Sequence, residues 1–354
     1  VKRYLREDGL LVQWIQLYEI NLELISSIMK AVNQNFDDYV IYRASSEDII
    51  ILAKPKGYLS QPSQTIFKNQ NLRQLLERVQ IPSDENLSLR MLGKKSLLGP
   101  LFDSFEIPMN SDYFPVIDQL AVKSRFLENS ALDLISLPLF PGVLHRLFQF
   151  EPQRRQMNFI NTIDFSDGLG FDNEFLFSKY VLSYYQRGKF NVPLNQLERQ
   201  VYESMGVIQS AEYFCDETFI NYYWFSSVKG LLFRVGAVLS PEDFKVIFDR
   251  ISGMPCAKNL NAFNQQWLLL LQAINQQNDE SIVSLVDHLF VAYPTQSQSH
   301  KVYLLSLKWL SQLNLNQPQK ILNELPHSAV SAADSLMLRL IVSQAVTRVK
   351  MPQN

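Results

Sequence analysis

Apolar and polar positions in the first fifty-odd residues follow two alternating rhythms. Leu10-Leu11-Val12-Gln13-Trp14-Ile15 is a short apolar run and predicts a buried strand. Helical segments flank it in sequence, so a parallel neighbour is expected. From Leu22 the period lengthens: Leu22, Ile25, Ile28, Met29, Val32 and Phe36 share one face of a helix, and Asn21 stands where its side chain can cap the first turn. The extended rhythm returns in Tyr39-Val40-Ile41-Tyr42-Arg43 and Asp48-Ile49-Ile50-Ile51-Leu52, joined by the polar turn 44–47. That spacing predicts an antiparallel hairpin. Ahead of the first strand, Leu5-Arg6-Glu7-Asp8-Gly9 has the form of a helix end with glycine just past the cap.

The resulting order is helix end, strand, helix, strand, strand. A βα unit followed by an edge hairpin is how a methyltransferase-type Rossmann-like sheet finishes. Pro55-Lys56-Gly57-Tyr58-Leu59-Ser60-Gln61-Pro62 is rich in turn formers and marks a boundary. Beyond it the rhythm is mostly helical. Leu72, Leu75, Leu76 and Val79 share a face, Pro82-Ser83-Asp84-Glu85 predicts a helix start, and 100–115 is expected to be irregular. Helices are predicted over 171–187 and 194–205, and Ser240-Pro241-Glu242-Asp243 opens another that Gly253 closes. Trp267-Leu268-Leu269-Leu270-Leu271 through Leu289 and Pro294 resembles Tyr303-Leu304-Leu305-Ser306-Leu307 through Leu325 and Pro326. Each copy divides at a polar turn, near Asn278 and near Asn314, which outlines stacked helical hairpins of the tetratricopeptide kind; an ordinary helical bundle is the alternative.

The fold expectation is therefore mixed. A small remnant of a Rossmann-like α/β sheet, its last strands, occupies 1–55, and an irregular and helical connecting region occupies 56–165. A mostly α-helical domain of packed hairpins occupies 166–354.

Composition narrows the chemistry. Across 354 residues the net charge is -2 and charged residues make up 19%, so no positive field draws the chain onto nucleic acid or anionic lipid. No apolar window is long enough to span a bilayer; the nearest, 219–239, contains Lys229 and Arg234 and predicts a buried soluble helix. Its aromatic run Phe219 to Phe225 lacks basic interleaving, which favours core packing over base stacking. Cys215 and Cys256 cannot form a disulfide framework; without metal-type spacing they fit a reducing compartment, as buried small apolar residues. His145, His288, His300 and His327 have no ligand spacing, Asp164, Asp167 and Asp172 do not follow a calcium loop, and Asp167-Gly168-Leu169-Gly170 lacks the context of a phosphate cradle.

Tyr4-Leu5-Arg6-Glu7-Asp8-Gly9-Leu10-Leu11-Val12-Gln13-Trp14-Ile15-Gln16-Leu17-Tyr18-Glu19 is similar to the late strand and following loop of bacterial spermidine-synthase-like (polyamine aminopropyltransferase-like) proteins. Asn110-Ser111-Asp112-Tyr113-Phe114-Pro115-Val116-Ile117-Asp118, followed by Lys123-Ser124-Arg125-Phe126, resembles the segment after the catalytic core of the same family. The resemblance implies a transferase that moves an aminopropyl group from decarboxylated S-adenosylmethionine to a polyamine, or a methyltransferase relative that uses S-adenosylmethionine. In that family the glycine-rich turn and catalytic acid precede the last βα unit, hence Val1, so no catalytic residue and no bound cofactor are expected in this chain alone. What the resemblance leaves here is one wall of a polyamine pocket: Gln13, aligned with a family glutamine, and Tyr18 and Glu19 in the loop beyond the strand. Arg43-Ala44-Ser45-Ser46-Glu47-Asp48 stands where the family has a Tyr-Pro-Ser-Gly-like loop, a departure at the specificity region. The expected partners are the upstream half of the same Rossmann-like domain and a protein bound to the helical region. The expected location is the cytoplasm, with relatives whose upstream membrane helices would anchor the intact protein in the bacterial inner membrane. An interaction module built on helical hairpins is the competing expectation.

Overall fold

A computed structural model describes residues 2–60, 62–63, 65–79, 81, 87, 90–137, 170–187, 196–211, 213–236, 239–295, 297–327 and 335–350. The strands are β1 (Leu11–Gln16), β2 (Asp38–Arg43), β3 (Asp48–Lys54) and β4 (Met91–Lys94). The longer helices are α1 (Leu22–Asn35), α2 (Gln70–Arg78), α3 (Lys95–Asp103), α4 (Val116–Phe126), α5 (Gly170–Arg187), α6 (Gln196–Ser210), α7 (Phe225–Gly236), α8 (Pro241–Ser252), α9 (Ala262–Asn275), α10 (Asp279–Ala292), α11 (Gln298–Asn314), α12 (Pro318–Glu324) and α13 (Leu336–Lys350). The described part is mostly helical, with one small antiparallel sheet. None of its helices is long and apolar enough to cross a membrane.

Two compact units divide the chain. Val1–Pro138 and Leu322–Asn354 contribute to the first, Ile163–Ile321 to the second. The sheet-bearing unit thus extends past the sequence boundary at 55 and takes in β4, α3, α4 and the distant α13.

The sheet order is β1-β3-β2-β4, and every neighbouring pair is antiparallel. Because β1 and β2 both oppose β3, they run in the same direction, with α1 between them in sequence and β3 inserted between them in space. The parallel neighbour predicted for β1 is absent among the described residues. Its burial is corrected too: Val12 and Trp14 are 62% and 51% exposed, and only Ile15 is buried. An apolar run on both faces signals a strand covered on both sides, but among the described residues only β3 lies beside it. In β3 alternation is strict, with Ile49, Ile51 and Ala53 fully buried. β4, unanticipated in the sequence, is four residues long and joins β2 through a register shift between Ile41 and Tyr42.

Local chemistry fixes the elements. Asn21 Oδ1 accepts from Leu24 N at 2.9 Å and caps α1 as expected. At its other end Lys95 donates to Asn33 O and Phe36 O at 2.8 and 2.6 Å, satisfying carbonyls that the helix cannot. Gly9 does not take the left-handed cap conformation predicted for it; the only glycine in that region among the described residues is Gly57 (φ 77), in the turn after β3. The Leu72, Leu75 and Val79 face of α2 is exposed rather than buried. The predicted start at Pro82 lies outside the described residues, as do His145, Asp164, Asp167, Gly168 and Leu169.

Pro100 corrects only the start of the irregular reading of 100–115, since it sits inside α3, while 104–115 carries neither helix nor strand. A proline inside a helix leaves the carbonyl four residues back without its donor. That carbonyl belongs to Ser96, and Gln344 of α13 supplies the missing donor, reaching Ser96 O at 3.2 Å and Leu97 O at 2.8 Å. One side chain therefore tolerates the proline and ties the C-terminal helix to the sheet-bearing unit.

In the helical unit the hairpins α9–α10 and α11–α12 turn in the same way. Gln277 and Asn316 are both left-handed (φ 54 and 56). Behind them Asn278 N donates to Ala273 O (3.0 Å) and Gln317 N to Gln312 O (2.8 Å), the six-to-one closure of a Schellman turn. The run Phe219–Trp224 is a π-helix that leads into α7. Ile220, Trp224 and Phe225 are buried, but Tyr222 and Tyr223 are 73% and 66% exposed, so core packing holds for only part of the aromatic run. The cysteine reading is also corrected. Cys215 and Cys256 form a disulfide with Cα atoms 5.3 Å apart, and only Cys256 is buried. A separation of 41 residues hides this pairing from the sequence, because it needs the segment after α6 to meet the 3-10 turn Pro255–Asn259.

Candidate functional site

The carboxyl ends of β1 and β2 lie on the same side of the sheet, where open α/β sheets collect ligands. Three backbone bonds shape this end. Leu17 N donates to Glu47 O at 2.8 Å, Ala131 N to Leu17 O at 2.8 Å, and Arg43 N to Arg90 O at 2.7 Å. Tyr18 pairs with Ser130 in an isolated antiparallel bridge. The loop after β1 is therefore clamped between the β2–β3 turn and the segment that follows α4.

Glu19 comes next and adopts φ 56, a left-handed conformation costly for a residue with a Cβ. Such outliers persist where the surroundings over-determine them, often at functional sites. Its carboxylate meets Arg125 Nε of α4 at 3.2 Å. Both partners are well exposed, so the pair is worth about 0–1 kcal/mol and a competing cation displaces Arg125 at small cost. Tyr18 is 40% exposed, and its carbonyl accepts from Gln16 Nε2 at 3.4 Å.

Of the three residues expected to line a pocket, Tyr18 and Glu19 are adjacent at the sheet end. Gln13 is separate: it pairs with Ile51 in mid-strand, is exposed, lies on the face opposite Gln16, and donates Nε2 to Trp14 O at 2.7 Å. Sequence reasoning missed Arg125 as a site residue, although it belongs to the second matched segment. That segment also folds against α1. Ser27 Oγ donates to Pro108 O at 2.6 Å, Asn110 N donates to Ser27 O at 3.1 Å, and Asn110 Oδ1 accepts from Ile117 N at the start of α4.

The turn from β1 to α1 is not a phosphate cradle. A pyrophosphate at a first βα turn needs glycines that let the backbone approach. The turn from β1 to α1, Leu17 to Asn21, has none and carries a carboxylate instead.

A second concavity, about 850 Å³, lies among α1, α3 and α13, with Asn33, Lys95, Asp103, Arg339, Val346 and Lys350 on its walls. Its polar groups are largely engaged. Asn33 Nδ2 donates to Asp103 Oδ2 at 2.7 Å, Lys95 caps α1, and Arg339 stacks on Phe105 with its guanidinium 4.2 Å from the ring centre. Burial pushes the Asp103 carboxyl upward, against the pull of Lys30, the Asn33 amide and Lys95. Among the described residues no group of three or more His, Cys, Asp or Glu could hold a metal ion.

No family model matches the chain, and neither does a curated protein or a solved structure.

Proposed function

We propose that the sheet-bearing unit is the closing part of a Rossmann-like transferase domain of the spermidine-synthase kind, contributing one wall of a polyamine pocket and none of the nucleotide site. The observation that carries this reading is the strand order. β1 and β2 run in one direction on either side of an inserted, opposed β3, with α1 linking them. That is the arrangement expected where such a sheet finishes, and further strands of the same domain would lie along the free edge of β1. The uncovered Val12 and Trp14 agree with this, because their apolar side chains suit a covered strand. At the sheet end Glu19 would take an ammonium group of the amine in place of Arg125, with Tyr18 beside its methylenes. Decarboxylated S-adenosylmethionine would supply the aminopropyl group.

The test uses the intact polypeptide. It should bind decarboxylated S-adenosylmethionine, and Glu19→Gln should weaken putrescine binding by about tenfold, the loss of one charge-assisted hydrogen bond, without changing nucleotide affinity. An intact polypeptide that binds no such nucleotide ends the reading.

A second reading, an interaction module on helical hairpins, is favoured by the matching turns at Gln277 and Asn316. In it α9 to α12 would carry a protein partner whose binding ignores Glu19→Gln.

A further inference from the structure

Lys229 of α7 differs from Lys179, Lys245 and Lys308, which face carboxylates of Asp243, Asp249 and Asp287. Among the described residues Lys229 faces an imidazole instead of a carboxylate. Its Nζ lies 3.2 Å from Nε2 of His300 and 5.1 Å from the ring centre of Trp267. His300 occupies the first turn of α11, where the helix dipole disfavours positive charge. Behind the pair runs an apolar column in which the Trp267 and Tyr303 rings stack at 6.1 Å and Phe233 meets Tyr303 at 4.8 Å. Other cations near α7 point elsewhere: Arg234 covers the Phe177 ring at 3.5 Å.

We propose that Lys229 is a nucleophilic amine that condenses with small aldehydes to an imine, with His300 as its proton carrier. This goes beyond the transferase reading and does not depend on it. Three features converge on it. Desolvation lowers the Lys229 ammonium below the ordinary lysine range, which is how reactive amines are prepared. Burial, then the neighbouring Lys229, lowers His300 as well, so the imidazole is a free base near neutrality. Both side chains are only half-buried, so a small carbonyl compound reaches them from solvent.

The step balances without an oxidant or reductant. The amine lone pair forms a bond to the carbonyl carbon while the C=O π pair moves to oxygen. His300 relays one proton from nitrogen to the alkoxide, giving a carbinolamine, and then a second from nitrogen to the hydroxyl, which leaves as water as C=N forms.

The test treats the full chain at pH 7 with propionaldehyde and cyanoborohydride, which reduces the imine to a propylamine, and maps the modified lysines by mass spectrometry. Lys229 should label ahead of the exposed Lys68 and Lys258, its initial rate higher by about tenfold for each unit its pKa is lowered at most. Its rate should level off at lower pH than theirs. His300→Gln should slow labelling at Lys229 several-fold and leave Lys258 unchanged, and Lys229→Arg should remove the fast product. A Lys229 rate no higher than that of Lys258, or one indifferent to His300→Gln, overturns the proposal and leaves the pair as a helix-to-helix brace.

Discussion

The sheet-bearing unit and the helical unit draw on the same weakly charged, amide-rich sequence and use it in opposite ways. In the first, the buried polar residues are serines and arginines, such as Ser26, Ser27, Arg43 and Arg90, while amides stay nearer the surface: Asn21 and Asn69 cap helices, and the ion pairs Glu19–Arg125, Lys56–Glu7 and Arg73–Glu77 are exposed. In the second, side-chain amides go inside. Asn264, 5% exposed, donates to the carbonyl of Asn221 at 2.9 Å, whose side chain in turn accepts from Asn261 N at 2.7 Å. Trp267 is fully buried with its Nε1 unpartnered, and Lys229 leans on His300. The difference teaches where each unit is vulnerable. The first depends on strand packing, and its exposed ion pairs tolerate changes of charge; the second depends on buried geometry that a covalent link helps to hold.

Opening that link is the strongest way to break the comparison. Replacing Cys215 and Cys256 with alanine frees a segment of 41-residue separation, a loss of about 4 kcal/mol if loop entropy dominates. Hydrogen exchange should accelerate from α6 to α8 and stay unchanged in β3. The converse change is Ile51→Ala in the middle of β3. Removing a fully buried isoleucine should cost about 3 kcal/mol and release protection in β2 and β3, not in α9. Glu19→Gly should have the smallest effect. Relief of the left-handed backbone offsets the lost exposed pair, so thermal stability should move by about 0.5 kcal/mol or less. A large fall would mean that the Arg125 contact holds the sheet end in place.

Much of the first fifty residues was legible because each period there is unmixed. Leu22 to Phe36 has a single helical face with Asn21 ahead of it, and Asp48 to Leu52 follows strands broken by one polar turn. The environment of β1 was not legible: Val12 and Trp14 encode a covered strand, and burial depends on what lies alongside. Pro100 misled because its missing donor comes from Gln344, 248 residues from the Ser96 carbonyl that it reaches. The disulfide was hidden for the same reason of distance. The left-handed turns at Gln277 and Asn316 fell at the polar breaks that the repeat predicted, although neither residue is glycine. At the candidate site, Tyr18 and Glu19 follow from their position beyond a strand. Arg125 required knowing that α4 returns to that same strand end.

The bare flank of β1 also governs how this polypeptide behaves in the tube. Among the described residues no strand pairs with the outer edge of β1, and its backbone groups beside Val12 form a template on which a second molecule can add its own strand. Stored concentrated, the chain should lose monomer steeply with protein concentration, and a lysine in place of Val12 should prolong its shelf life.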